Sequence, residues 1–307
     1  MRAGIAMQLR RLVRTPSLLL GILLLVPVAM AVGVPGWIAP HDPELRGPAL
    51  QQIDGRWAAP PYPPSREYPL GSDLRARDLL SRIVYGARVT LLLALVAAAI
   101  RILIGAILGW AAATFRGAVE RWIVIAADIS ATLPSLLFAF LLIATIGPHR
   151  GLPVFLIGLG FTGWAAWTQL IYSGIRRIQA EPYMEAAEAI GTTRRSRLRY
   201  YLLPNLLPAV LPVIVQEIAA VLLLLAELGF LGIYLGSSSP LRLSDLLGGE
   251  QPQLPIPEWG GMLAGTRLEI FRWSWLPIVP AGAFFMTILG LYLLADGLRQ
   301  QLDKAKS

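Results

Sequence analysis

The sequence predicts an all-α integral membrane protein with six transmembrane helices. Of its 307 residues, 55% are hydrophobic and only 15% charged, a balance outside the soluble globular range. Six apolar runs approach or exceed the ~20 helical residues that span a hydrocarbon core of ~30 Å. Arginines gather in alternate connections between those runs, following the bias of cytoplasmic loops toward basic residues.

Composition also excludes several chemistries. The formal charge of +8 is spread among apolar runs instead of forming a basic, aromatic-rich polar domain, so topology explains it and nucleic acid is not an expected partner. There is no cysteine, and the two histidines, His41 and His149, fall in connections. Disulfides, thiolate sites and a histidine-built metal or catalytic centre are therefore not expected. The only lysines, Lys304 and Lys306, lack the preceding glycines of a phosphate-binding loop, so the chain is not itself a P-loop ATPase.

Residues 1–40 read as a basic N-terminus and a first span, Thr15 to Pro40, free of charge. Ala29-Met30-Ala31 has the small-x-small form of a signal cleavage site, but the long apolar part and the further spans favour a retained helix. Residues 41–86 read as a proline-rich external loop with little regular structure, then an amphipathic helix from Ser72 or Asp73 through Tyr85, lying on the membrane surface. Residues 87–297 hold five more spans: Val89–Phe115, Trp122–Ile146, Leu152–Ile175, Leu206–Leu235 and Trp275–Ala295. Residues 298–307 form a tail. Fifteen of the 27 basic residues, from Arg2 to Lys306, fall on the side that carries both termini, which the charge rule makes cytoplasmic.

Within the connection 176–204 lies Tyr183 to Pro204, a polar helix-prone stretch between two spans. Pro182 is placed where proline is tolerated at a helix start, and Gly191 where a left-handed residue ends one. On a helical wheel Tyr183, Ala186, Ala187 and Ile190 share one side, with Glu185 and Glu188 on the other. Thr192 or Thr193 can cap a second helix carrying Arg194, Arg195, Arg197 and Arg199. An ordinary charged loop fits the same residues.

Arg101, Asp128, Glu217 and Glu227 fall within or near spans, where ionisable groups face a bundle interior, a partner or water. They read either as a substrate or ion path or as a structural pair, such as Arg101 with Glu227. Pro208 and Pro212 are expected to kink the fifth span or break its first turns.

Glu185-Ala186-Ala187, Gly191 and Leu203-Pro204 resemble the EAA loop of ABC importer permeases, with Tyr201 in a usual isoleucine position. Pro69-Leu70-Gly71-Ser72-Asp73, Arg77-Asp78-Leu79-Leu80-Ser81-Arg82 and Tyr85-Gly86-Ala87-Arg88 are similar to the segment marking the second permease of dipeptide, oligopeptide and nickel importers. Asp128, Pro134-Ser135-Leu136, Trp164, Glu227 with Phe230-Leu231-Gly232, Trp259-Gly260 and Asp296-Gly297-Leu298-Arg299 follow in the same order. Departures are Ala76 for a glycine, Ile125, Gln169 and Tyr172 at usual arginine positions, Lys304 for a proline, and a long external loop, Ser237 to Pro257.

The resemblance implies a type I importer permease fold, five core helices plus an N-terminal one, in a prokaryotic cell membrane. It implies a second permease, two ATPase subunits and an external solute-binding protein as partners, with membrane lipid around them. ATP and Mg would be bound by the ATPases and no cofactor by this chain, which is a transport subunit and not an enzyme. Tyr183, Glu185, Ala186, Ala187, Gly191, Leu203 and Pro204 would form the loop that docks on an ATPase, most of the nearby arginines meeting lipid headgroups. The solute would be a peptide, a nickel chelate or a related small molecule. A secondary transporter using Arg101, Asp128 and Glu227 is the alternative; it should show inverted repeats, and no internal repeat is evident. A membrane enzyme would need a nucleophile or metal cluster.

Overall fold

The computed structural model describes residues 15–53, 56–235 and 257–304. The basic segment before Thr15, Lys306, and the expected long external loop up to residue 256 lie outside the described residues. Among the described residues the regular structure is helical apart from a hairpin of two short strands, β1 (Gln51–Ile53) and β2 (Arg56–Ala58). The helices, in order, are α1 (Pro16–Gly33), α2 (Pro35–Ile38), α3 (Leu79–Thr114), α4 (Ala118–Thr132), α5 (Ser135–Ile146), α6 (Leu152–Gly160) and α7 (Trp164–Gln179). There follow α8 (Pro182–Ala189), α9 (Arg194–Arg197), α10 (Leu203–Phe230), α11 (Trp259–Thr266) and α12 (Trp275–Lys304).

Among the described residues four helices are long and apolar enough to cross a membrane, and up to six spans result if each of two bent pairs counts as one. The expected third span is broken: α4 and α5 meet at 90° around Leu133-Pro134. The ring of Pro134 and its missing N–H end a helix at the preceding residue. The fourth bends by 43° between α6 and α7, where Gly163 has φ +76°, a left-handed conformation that glycine adopts at no steric cost.

Pro208 and Pro212 do not break the fifth span. α9, a π-helical turn (Leu198–Leu202) and α10 form one continuous rod from Arg194 to Phe230. The wider turn lies just before Pro204 and Pro208, so it can absorb their missing donors. Asn205 adds a side-chain bond to the Tyr201 carbonyl at 2.7 Å.

The surface helix expected from Ser72 or Asp73 through Tyr85 is also corrected. Ala76 has φ +59°, so the chain cannot stay helical there. Asp73 instead closes a turn, its Oδ1 accepting from the Arg75 and Arg77 amides at 2.9 Å each. Helix begins at Leu79, capped by the Asp78 carboxylate on the Ser81 amide at 2.8 Å, and runs for 36 residues into the second span. A boundary near residue 86 would thus cut one helix. The preceding loop is more ordered than its proline content suggests. Arg77 and Arg82, both buried, hold Glu44 at 3.1 and 2.7 Å, while Arg77 also grips Asp73 at 2.7 Å. Buried charges persist where they are paired in this way.

Small residues set the helix contacts. A Cβ on Gly105 would lie 2.3 Å from the Trp167 Cβ, and one on Gly109 2.6 Å from the Thr168 carbonyl. This GxxxG pair lets α3 and α7 pack backbone to backbone, as in other membrane bundles. Gly21, Gly290 and Gly297 do the same between α1 and α12. The main core is formed by α3, α5, α6, α10, α11 and α12, and a second cluster around Trp167, Ile171 and Ile175 supports the connection to α8. At the end of the bundle that carries the Asp73 turn, buried Glu258 caps α11, accepting from the Gly260 and Gly261 amides at 2.9 and 2.8 Å.

Candidate functional site

The polar stretch Tyr183–Pro204 folds as two short helices around a glycine. Pro182 opens α8 at its first position after an extended Glu181. Gly191, at φ +78°, closes it: its amide bonds the Glu188 carbonyl at 3.0 Å and the Thr192 amide bonds the Ala187 carbonyl at 3.2 Å. That bond pair is the Schellman arrangement, which satisfies the last free carbonyls. Of the two threonines open as caps, Thr193 serves α9, accepting from Ser196 at 3.2 Å, while the Thr192 hydroxyl turns back to the Ala187 carbonyl.

The faces of α8 differ from the helical-wheel reading. Met184 packs into the Trp167 cluster and Ala187 is buried beside it on the same side of α8. Tyr183, Ala186 and Ile190 remain exposed beside Glu185 and Glu188, Ile190 at 77%. Isolated from tertiary contact, the wheel groups residues by angle but does not say which side the bundle covers. Tyr183 stacks on Tyr201, 6.3 Å between ring centres, so the tyrosine in the usual isoleucine position braces α8. Leu203 and Pro204 are exposed at the start of α10. Arg197 bonds Glu188 at 2.7 Å, and that hydrogen bond holds the Glu188 carboxyl below its ordinary pKa. Arg194, Arg195 and Arg199 are exposed.

The ionisable residues of the spans separate into distinct sites. Arg101 pairs with Glu217 at 2.9 Å, not with Glu227. Ten positions along α10 place Glu227 about 15 Å further on, half-buried and without an ion pair among the described residues. Arg101 also donates to the Leu159 carbonyl at 2.7 Å and to the Thr162 hydroxyl. Those acceptors lie at the broken end of α6, where the helix dipole favours a cation. The second Glu217 oxygen accepts from the Trp167 indole at 2.7 Å, so one arginine joins α3, the α6–α7 bend and α10. Gly163 leaves the passage, since a Cβ there would sit 3.1 Å from the guanidinium.

Asp128 accepts from the Gln169 amide at 2.8 Å. Tyr172 donates to Glu120 at 2.5 Å, and Arg176 to the same oxygen at 3.0 Å. Gln169 and Tyr172 thus fill the arginine positions with neutral donors. Thr162, Trp167 and Glu120 were absent from the sequence-derived candidates; their only signals were a polar residue beside a glycine break, and a carboxylate at a helix start.

Comparison with known proteins agrees with this geometry. Residues 101–305 match the family described as binding-protein-dependent transport system inner membrane component. The chain is 30% identical over 273 residues to a probable D,D-dipeptide transport system permease protein of Escherichia coli K12, covering 87% of this chain and 80% of that protein. It is 32% identical over 248 residues to a dipeptide transport system permease protein of Alkalihalophilus pseudofirmus, covering 80% and 74%. Against a glutathione transport system permease protein of Pectobacterium atrosepticum it is 29% identical, covering 80% and 75%. A crystal structure of an amino acid ABC transporter with histidines shares the fold, with a TM-score of 0.50, 17% identity, and 71% of this chain and 93% of that one covered. The chain therefore belongs to the binding-protein-dependent transport system inner membrane component family, as a multi-pass permease subunit of an ABC importer.

Proposed function

We propose that this subunit, with a second permease, forms the path by which an importer carries peptides, and that separate cytoplasmic ATPases drive it through α8. The observation that carries this reading is the exposed apolar pair Tyr183, in the first turn of α8, and Ile190, just past its end, on a helix started by Pro182 and closed at Gly191. An exposed apolar patch on a braced element marks a protein contact, and a short rigid helix transmits a push to both of its arms, α7 and α10. The dipeptide and glutathione permeases among its relatives support peptides as the solute class. A solute-binding protein would deliver them on the opposite side. The weight of arginine beside α8 supports a cytoplasmic location for this loop and both termini. ATP and Mg would belong to the ATPases.

The secondary-transport alternative loses its basis, because Arg101, Asp128 and Glu227 do not meet. The test uses the absence of cysteine. A single Ile190→Cys in the assembled complex should cross-link to an ATPase subunit and lose reactivity toward a water-soluble maleimide when the ATPases are present. Equal labelling with and without them would refute the docking.

A further inference from the structure

Asp128 and the broken third span have no part in the coupling loop, and together they raise a physical question. α4 is 15 residues long, and Asp128 is its eleventh residue, about 15 Å from its start at 1.5 Å per residue. With α4 entering along the membrane normal from its Gly117 start, that distance puts the carboxylate near the middle of a ~30 Å hydrocarbon core. Yet Asp128 is exposed in the subunit, and so are Thr132, Leu133, Pro134 and Ser135 at the break. The neighbouring helix α7 presents Gln169 and Ser173, also exposed. Non-helical backbone at membrane depth is tolerated where it is covered by protein or lines water, not where it meets lipid. An intramembrane carboxylate obeys the same restriction. The α4–α7 face with its carboxylate, amide and hydroxyls therefore turns to the interior of the assembly.

The occupant must supply positive charge. Among the described residues Asp128 has no cationic partner, and its one hydrogen bond comes from the neutral Gln169 amide at 2.8 Å. Glu120, one turn-pair earlier on α4, is matched by Arg176. The Asp128 carboxylate thus keeps acceptor capacity open, beside a helix interruption of the kind that hosts solute sites in transporters. We propose that Asp128, positioned by Gln169, is a binding point for the ammonium group of the solute, the α-amino group of a peptide, as it passes the membrane midplane. This rests on the peptide-importer reading. It adds a contact within the path: the carboxylate accepts N–H bonds from the amine while Thr132 and Ser135 offer neutral hydroxyls.

The test uses the complete complex, both permeases, the ATPases and the binding protein, in proteoliposomes with radiolabelled di- and tripeptides. Asp128→Asn keeps size and one acceptor but removes the charge. The expected result is a complex that assembles normally, with ATPase activity still stimulated by the loaded binding protein. Uptake should fall about 10- to 100-fold, the worth of a charge-assisted hydrogen bond. Asp128→Glu should retain uptake within about threefold, because the charge remains. Asp128→Asn uptake within twofold of the unmodified complex overturns the proposal. So does failure of Asp128→Asn to co-purify with the second permease, which would assign the charge to a cation of that subunit. An unmodified complex that imports no peptide overturns the peptide reading and the amine site with it, whereas peptide import unaffected by the substitution overturns the site alone.

Discussion

Replacing Arg101 with leucine tests whether the charge inside the bundle is a lock or a passenger. The side chain is 4% exposed and its partner Glu217 12%. Substitution strips the guanidinium bond from the Leu159 carbonyl, from Thr162 and from Glu217. Glu217 would keep only the Trp167 indole as a donor, leaving a largely buried carboxylate without its counter-charge. Removing one partner of such a pair costs about 3–5 kcal/mol, whereas loss of an arginine that merely reached toward headgroups would cost close to nothing. Glu217→Gln should cost less, about 1–3 kcal/mol, because the amide oxygen still accepts one bond. The double variant Arg101→Leu, Glu217→Leu removes both charges and should recover about 2 kcal/mol relative to the sum of the single changes. The assay is reversible unfolding of the purified permease in mixed micelles by a denaturing detergent, as a double-mutant cycle. A single variant within about 0.5 kcal/mol of the parent, or an additive double variant, would refute the reasoning.

Three further predictions follow from local geometry. Gly191→Val places a β-branched residue at φ +78° with open space around its Cβ, so backbone strain of about 1–2 kcal/mol and not a clash acts on the end of α8; ATP-driven solute uptake should fall while membrane insertion is unchanged. Ala76→Gly relieves a left-handed alanine at φ +59° and should stabilise the Asp73–Arg77 turn by about 1 kcal/mol, read as a higher unfolding midpoint. Burial pushes the Glu258 carboxyl above its ordinary value, opposed by its bonds to Gly260 and Gly261. Its folded pKa therefore exceeds the unfolded value of about 4.3, so the folded state holds a proton that the unfolded chain releases. Its contribution is full below about pH 4.3 and is lost as pH rises through the folded value. Glu258→Gln should flatten that part of the pH dependence of unfolding; an unchanged slope would remove the assignment.

Much of this architecture was legible because it depends on local rules. Apolar runs mark the spans, Pro182 and Gly191 mark the ends of α8, and Thr193 marks the start of α9. What escaped depends on direction and on distance along the chain. Hydropathy measures a run's length but not the 90° turn inside it, so α4 and α5 read as one straight span. Periodicity placed a helix across Ala76, where backbone conformation forbids one. Arg101 and Glu217 are 116 residues apart, and only packing of α3, α7 and α10 decides that this carboxylate and not Glu227 is in reach. At the coupling loop the residues were identified but the covered side of α8 was not, because that depends on where the Trp167 cluster lies.

The 36 residues of α3 make a rod of about 54 Å at 1.5 Å per residue, nearly twice the thickness of the hydrocarbon. One end is fastened to the ion-paired turn of Asp73, Arg77 and Glu44 through Arg82. The other ends at Thr114, just before Arg116 and the turn into α4. A rod of that length pivoting by about 10° around its midpoint moves its two ends by about 5 Å in opposite directions. With no break along its length, α3 would carry a small rotation at one surface of the membrane to the other as a displacement the size of a side chain.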